Sequence, residues 1–179
     1  EMGLLVKDYR VVAHCPRCQT ALSDHEVAQG YKTVEDPSVY VKFRVLGEEN
    51  TYIVVWTTTP WTLPANEAVA VHPEGRYVRV RVGEEVWILA RDRLSAVLEE
   101  AGIEEYKVVG EFDGKGLEGL RYEHPLADEV PEHAKHAGAH RVVCSEFVSL
   151  EEGTGCVHIA PAHGPEAVSY THLRAHETE

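Results

Sequence analysis

The sequence predicts an α+β fold rich in β structure, on three observations. Residues 39–45, VYVKFRV, alternate apolar with polar side chains as a half-buried strand does. Two pairs of such stretches are joined by short turn sequences, GEEN at 47–50 and Gly83-Glu84, so hairpins recur along the chain. Helical periodicity is clear in only one stretch, 91–101, where Leu94, Val97 and Leu98 share a face and Gly102 follows as a stop.

The composition bounds the rest. A chain of 179 residues suffices for one domain with a substantial core, and 44% hydrophobic with 26% charged residues is ordinary for a globular protein. No apolar run approaches the roughly 18 residues of a membrane span, and the mixed, charged start carries no signal peptide. The net charge of −13 argues against a broad non-specific nucleic-acid surface, so any RNA contact is expected to be local or supplied from outside this chain. Four cysteines in a chain without a secretion signal point to metal binding or free thiols before disulfides. Because Glu1 is not an initiator methionine, the chain is read as a fragment of something larger.

Taken in order, residues 9–13 read as a short strand. Cys15 and Cys18 then form a C-x2-C knuckle, a shape that aims two thiolates at one metal. That is half of a tetrahedral site. Cys144 and Cys156 lie far along the chain, and His14 and His25, possible ligands, read more readily as ordinary polar residues. Residues 27–45 read as strands, and 51–57 return as the second arm of a hairpin that runs into VVWTTTPWTLPAN at 54–66. Here a β-branched and aromatic run ends in three threonines, and Pro60, having no N–H, stops the ladder. Strand alternation puts Thr57 and Thr59 on one face and Thr58 on the other. With Pro60 and Pro64 stiffening the turn and Asn66 closing it, the run can build a rigid polar pocket. Threonine also favours strands on its own account, so the pattern alone leaves both readings open.

Residues 68–72 predict a strand, 77–82 and 85–90 a second hairpin, and 106–112 another strand. DGKGLEGL is glycine-rich but lacks the Lys-Ser/Thr ending of a phosphate loop, so it reads as a turn. Residues 125–131 read as loop. His133, His136 and His140 fall at helical spacing, and a solvated alanine-rich segment accounts for them better than a metal. Residues 141–148 read as a strand, and 151–153 as a turn leading into GTGCVHIAPAHGPE. There His158 faces away from its neighbours Val157 and Ile159, as a site residue or a satisfied core histidine. Residues 168–179 continue no pattern. They read as a non-native tail, with no metal role for His172 and His176.

The stretch WTTTPWTLPAN resembles the threonine-rich motif in the editing domain of isoleucyl-tRNA synthetases. Valyl and leucyl relatives usually carry arginine at the position of Thr59. The resemblance extends to the cysteine knuckle, DGKGLEGLRYEHPL and GTGCVHIAPAHG, and covers residues 1–166. It implies an editing (CP1) module inserted in a Rossmann-type catalytic domain, folded as a twisted β-barrel with a few peripheral helices. Residues 1–30 would be the zinc-knuckle half-site and opening strand, 31–167 the editing domain and 168–179 the tail. Neither the HIGH-type nor the KMSKS-type signature of the synthetic site is present, so ATP use would belong to the parent enzyme.

The implied function is hydrolysis of mischarged valyl-tRNA(Ile), and of valyl-adenylate in the parent, by water attack in a size-selective pocket. One methylene is worth only about 1–3 kcal/mol in an apolar pocket, isoleucyl-tRNA synthetases being the known case, so a second sieve is needed. Residue by residue, Thr57, Thr58 and Thr59 would hold the terminal adenosine and ester and orient the water. Thr62 and His158 would press on the valine side chain, Trp56 and Trp61 would line the adenosine side, and Asn66 would brace the loop. The family's aspartate nine residues after this histidine, which grips the substrate α-amino group, is Ala167 here. Charge-assisted contacts of that kind contribute roughly 1.5–3 kcal/mol. Editing itself would use no cofactor. Cys15 and Cys18 would be a severed half-site, holding zinc only with ligands from the parent chain. The implied partners are the valine-bearing 3′ end of tRNA(Ile) and the rest of the synthetase, in a cytoplasmic monomer. A competing reading, favoured by Ala167 and the acidic charge, is a catalytically silent RNA-binding or interaction module of a class I synthetase.

Overall fold

The computed structural model describes residues 12–131, 139–161, 163, 164 and 167. The alternating and β-branched runs form strands where the sequence places them. β1 (His14–Cys15) and β2 (Thr20–Ala21) make a small ribbon around the knuckle. After a short helix, α1 (Asp24–Gln29), β3 (Val39–Arg44) pairs antiparallel with β4 (Thr51–Thr57), Val39 opposite Thr57. β5 (Ala68–Val71) is followed by the hairpin of β6 (Arg76–Val82) and β7 (Glu85–Ala90), which turns at Gly83 with φ +57°. Then come α2 (Leu94–Glu100), β8 (Lys107–Asp113), β9 (Arg141–Cys144) and β10 (Cys156–Ile159).

The strands fall into a five-stranded sheet, β3-β4-β7-β6-β8, and a three-stranded sheet, β10-β5-β9, beside the small ribbon. The short side chains of β5, Ala-Val-Ala-Val, are all buried, as the middle strand of a sheet covered on both faces requires. The main core lies between the two larger sheets and gathers Phe43, Ile53, Val55, Val69, Val71, Ile88 and Tyr122. Phe43 and Tyr122 meet edge to face with ring centroids 5.1 Å apart. Each such side chain, fully buried, contributes roughly 1.5–3 kcal/mol. On the other side of the large sheet, Leu94, Val97 and Leu98 of α2 cover Val78, Val80 and Leu89. Residues 119–123 stitch the sheets together through bridges from Val45 to Tyr122 and from Arg121 to Arg141. Opposite this seam, Ala90 N–H donates to the carbonyl of Thr154 just before β10.

The β-rich α+β class is therefore what the structure shows, while closure into one barrel is not among the pairings of the described residues. Several boundaries differ from the sequence expectation. Residues 24–29 are helical, not the start of a strand run at Val27. The Ser23 hydroxyl accepts from Glu26 N–H, and the Glu26 carboxylate accepts from Ser23 N–H, a reciprocal cap that nucleates the turn. The stretch 91–101 begins as a 3₁₀ turn, Arg91–Arg93, before the α-helix proper. Residues 60–65 form a 3₁₀ helix, Pro60–Ala65, because Pro60 fits a first helical turn and Pro64 cannot donate to an α ladder. The strand expected over 141–148 ends at Cys144, where Ser145 N–H turns to the Val71 carbonyl. Residues 9–11, His133, His136, His172 and His176 lie outside the described residues.

Tyr122, buried at the seam, donates its hydroxyl to Asn66 Oδ1 at 2.6 Å. Tyr122→Phe leaves that buried acceptor unmet and should cost about 1–3 kcal/mol in urea unfolding. A loss within error of zero would remove this bond from the account of the seam.

Candidate functional site

β4 delivers Trp56 and Thr57 to the end of the large sheet, and the 3₁₀ helix that follows folds the threonines back on themselves. Thr59 N–H donates to Thr57 Oγ1 at 3.1 Å, and the two hydroxyls lie 3.3 Å apart, so these residues do share a face. Thr62 Oγ1 donates to the Thr59 carbonyl at 2.8 Å and sits 3.4 Å from Thr59 Oγ1. From the other sheet, β10 presents His158, with Nε2 at 3.0 Å from Thr62 Oγ1. A hydroxyl has one proton, and that of Thr62 goes to the Thr59 carbonyl. His158 therefore carries its hydrogen on Nε2 and donates it to Thr62. Nδ1 is left as a buried acceptor with no hydrogen-bond partner among the described residues. The result is a continuous polar line, Thr57–Thr59–Thr62–His158, joining the two sheets.

This line walls a cavity of about 270 Å³, completed by Trp56, Thr58, Phe147, Ala160, His163 and Ala167. Burial, reinforced by the neighbouring His163, pushes the His158 pKa down to about 4. The imidazole is neutral at neutral pH, and its side chain is a fixed dipole in the wall.

Of the residues singled out in the sequence, Trp56, Thr57, Thr58, Thr59, Thr62, His158 and Ala167 come together around this one cavity. Trp61 does not: its ring is 70% exposed and lies off the wall. Asn66 is fully buried behind the site, donating to the Ala68 carbonyl at 2.9 Å. Phe147 was not anticipated. It follows β9 in a turn with no periodic signal, and only the folding of that turn over β10 brings it to the cavity.

For a metal, Cys15 and Cys18 stand as a pair. Cys18 N–H points at Cys15 Sγ over 3.4 Å, and the backbone N–H groups of Cys18 and Arg17 hold the Cys15 thiol below its ordinary pKa. This suits two thiolate ligands. Among the described residues no group of three or more His, Cys, Asp or Glu gathers to complete a site. Cys144 and Cys156 flank Val71 from opposite sides of β5, and burial pushes the Cys156 thiol up to about 12. His140 packs in the core against Tyr122 and His124.

No family model matches the chain. Curated relatives do. Isoleucine–tRNA ligase of Pyrobaculum aerophilum is 56% identical over 170 residues, covering 93% of this chain and 17% of the relative. That of Pyrococcus horikoshii is 55% identical over 174 residues, and that of Methanocaldococcus jannaschii 53% over 177, covering 93% of this chain and 16% and 17% of those relatives. The chain is a homologue of the isoleucine–tRNA ligases. It spans about one sixth of the length of these relatives. Among solved structures it resembles a leucyl-tRNA synthetase CP1 domain, GlLeuRS-CP1, with a TM-score of 0.60 at 18% identity over 75% of this chain and 58% of that one. It also resembles the Plasmodium knowlesi cytosolic leucyl-tRNA synthetase editing domain, with a TM-score of 0.51 at 15% identity over 69% and 56% of the two chains. The fold of this chain, homologous to one stretch of isoleucine–tRNA ligases, is thus shared with those editing domains.

The neutral His158 has a consequence for stability. Its folded pKa of about 4 lies below the ordinary 6.5, so the unfolded chain binds the extra proton first as pH falls. The contribution is complete above about pH 6.5 and is lost as pH falls toward about 4. Between about pH 7.5 and about pH 4.5, urea unfolding should show this chain losing roughly 2–3 kcal/mol more than His158→Gln. Parallel losses in the two proteins would show that His158 is not buried neutral.

Proposed function

We propose that this chain is the editing hydrolase module of an isoleucine–tRNA ligase, cleaving the ester of mischarged valyl-tRNA(Ile) by water attack. The observation that carries the reading is the polar line Thr57–Thr59–Thr62–His158 along a cavity of about 270 Å³. Ester hydrolysis needs a placed water and dipoles for the developing oxyanion, and fixed hydroxyls supply both without a charged nucleophile. A histidine with a pKa near 4 is poorly matched to proton transfer at neutral pH, which supports a wall and hydrogen-bonding role over general-base work. The volume suits a short aliphatic side chain beside part of a ribose. Homology to isoleucine–tRNA ligases and the editing-domain fold support a deacylase as the kind of activity.

The rest of the reading follows from this one. The tRNA 3′ end would enter at the cavity, and the remainder of the synthetase would supply the binding surface that an acidic chain lacks. The two sheets, stitched at residues 119–123, would close as the twisted barrel the resemblance implies, over residues 31–167 of a cytoplasmic, monomeric parent. Cys15 and Cys18 would hold zinc with two ligands from beyond this chain, and 168–179 would be a non-native tail. No described helix is long and apolar enough to cross a membrane.

A second reading, a catalytically silent RNA-binding or interaction module, is favoured by one observation. Ala167 lines the cavity where the resemblance expects a carboxylate for the substrate ammonium. The two part on deacylation of valyl-tRNA(Ile) against isoleucyl-tRNA(Ile). Thr58→Ala should lower kcat/KM for the valyl ester by about 10–100-fold, the worth of one strong hydrogen bond. An unchanged rate would sink the threonine assignment. Ala167→Asp should raise kcat/KM by a similar factor and leave the isoleucyl ester intact. If neither form hydrolyses either ester or binds a non-hydrolysable valyl-adenosine, the silent reading takes over.

A further inference from the structure

We propose that Arg93 is a positioning residue for this cavity, acting through the 151–155 turn on Trp56. This rests on the hydrolytic reading above and deepens it. Arg93 belongs to none of the motifs discussed and reads in the sequence as one charged residue at the start of a helix. In the fold its guanidinium spans one turn: Nε donates to the Gly153 carbonyl at 3.0 Å and Nη1 to the Glu151 carbonyl at 2.9 Å. A planar fork that meets two carbonyls fixes their relative orientation, which a lysine ammonium cannot do.

What the turn holds is the indole. Gly153 has φ +59°, and a Cβ there would lie 2.8 Å from Trp56 Cε3, so the backbone itself is packed on the ring. Trp56 is also a shared wall. It lines both the threonine cavity and a second hollow formed with Tyr40, Glu100, Arg93 and Gly153. With hollows beside it, the indole is backed by the Gly153 backbone packed on the ring. The Thr154 carbonyl is pinned by Ala90 N–H and the Glu151 N–H donates to Ser149 Oγ, while Arg93 holds the Glu151 and Gly153 carbonyls. Without the guanidinium, the turn and the ring it supports can relax toward the second hollow, widening the substrate wall.

The test labels the three tryptophans of this chain with 5-fluorotryptophan and follows their ¹⁹F resonances. Arg93→Ala should move the Trp56 resonance and leave Trp61 and Trp87 in place, with Arg93→Lys giving only partial recovery. Toward valyl-tRNA(Ile), Arg93→Ala should raise KM about 5–10-fold with kcat within about twofold, because a displaced wall weakens binding in ground and transition state alike. A merely structural role would lower the active fraction, and so kcat, at constant KM. Gly153→Ala should reproduce the shift and the KM change, and the double variant should add little to either single one. An unmoved Trp56 resonance, an unchanged KM or full additivity would overturn the proposal. If the unsubstituted chain hydrolyses nothing, the hydrolytic reading fails, and the Trp56 resonance still decides whether Arg93 places the ring.

Discussion

The structure depends on one buried amide. Asn66 ends the 3₁₀ helix, its N–H donating to the Leu63 carbonyl at 3.0 Å, and its side chain then holds everything nearby. Nδ2 donates to the Ala68 carbonyl at 2.9 Å, Oδ1 accepts from Tyr122 at 2.6 Å, and the Asn66 carbonyl lies 3.2 Å from His140 Nε2. A single residue thus joins the threonine turn, the first residue of β5, the 119–123 stitch and the segment that leads into β9. Aspartate lacks the donor for Ala68, and leucine of similar volume leaves a phenol and a carbonyl unmet in the core. With this point fixed, Thr62 stands opposite His158 whether or not a ligand is present.

Charge is organised so that the site stays out of it. The chain is strongly acidic, and several of its carboxylates are paired with basic side chains of the large sheet. Arg79 pairs with Glu48, Lys42 with Glu85, and Arg76 and Arg91 share Glu111. Exposed pairs of this kind contribute about 0–1 kcal/mol each, so their effect is on where charge sits more than on stability. The cavity wall, among the described residues, holds hydroxyls, imidazoles and apolar groups and no carboxylate. Under the proposed function, a polyanionic RNA end would meet there a neutral surface in an otherwise acidic molecule. The same neutrality is why Ala167 matters. A carboxylate at that position would be surrounded by Ala68, Ala70, Val148 and Ile159, and only a substrate ammonium would offset its desolvation.

Much of this was legible in the sequence, for identifiable reasons. Alternation places the half-exposed β3, while β-branched and aromatic runs bounded by turn residues place β4, β6, β7 and β10. The threonine run, Thr62, His158 and Ala167 were found through a resemblance and now lie around one cavity. Helix α1 was missed although Ser23 and Glu26 spell its cap, because Val27 was read as the start of an extended run. The resemblance assigns Trp61 to the adenosine side, and the 3₁₀ helix leaves it exposed, off the wall of the cavity. Phe147 and Arg93 carry no periodic or motif signal. Phe147 shares the cavity wall with Thr57, 90 positions away, and Arg93 donates to the Gly153 carbonyl, 60 positions away, relations that no local pattern encodes.

Selection by size requires a wall that does not give. A pocket that relaxes by the volume of one methylene forfeits the difference it exists to detect. Here the wall is made rigid by three separate devices. The threonine turn is bonded to itself and locked by Pro60 and Pro64. His158 is neutral and bonded to Thr62. Trp56 is backed by a turn whose glycine allows contact without a side chain between. Each uses backbone or short polar groups with little rotamer freedom, and none uses a long flexible side chain on the cavity face. The one long side chain involved, Arg93, donates to the Glu151 and Gly153 carbonyls and does not line the threonine cavity itself. Discrimination in such a site is a property of the scaffold that surrounds the threonines as much as of the threonines themselves.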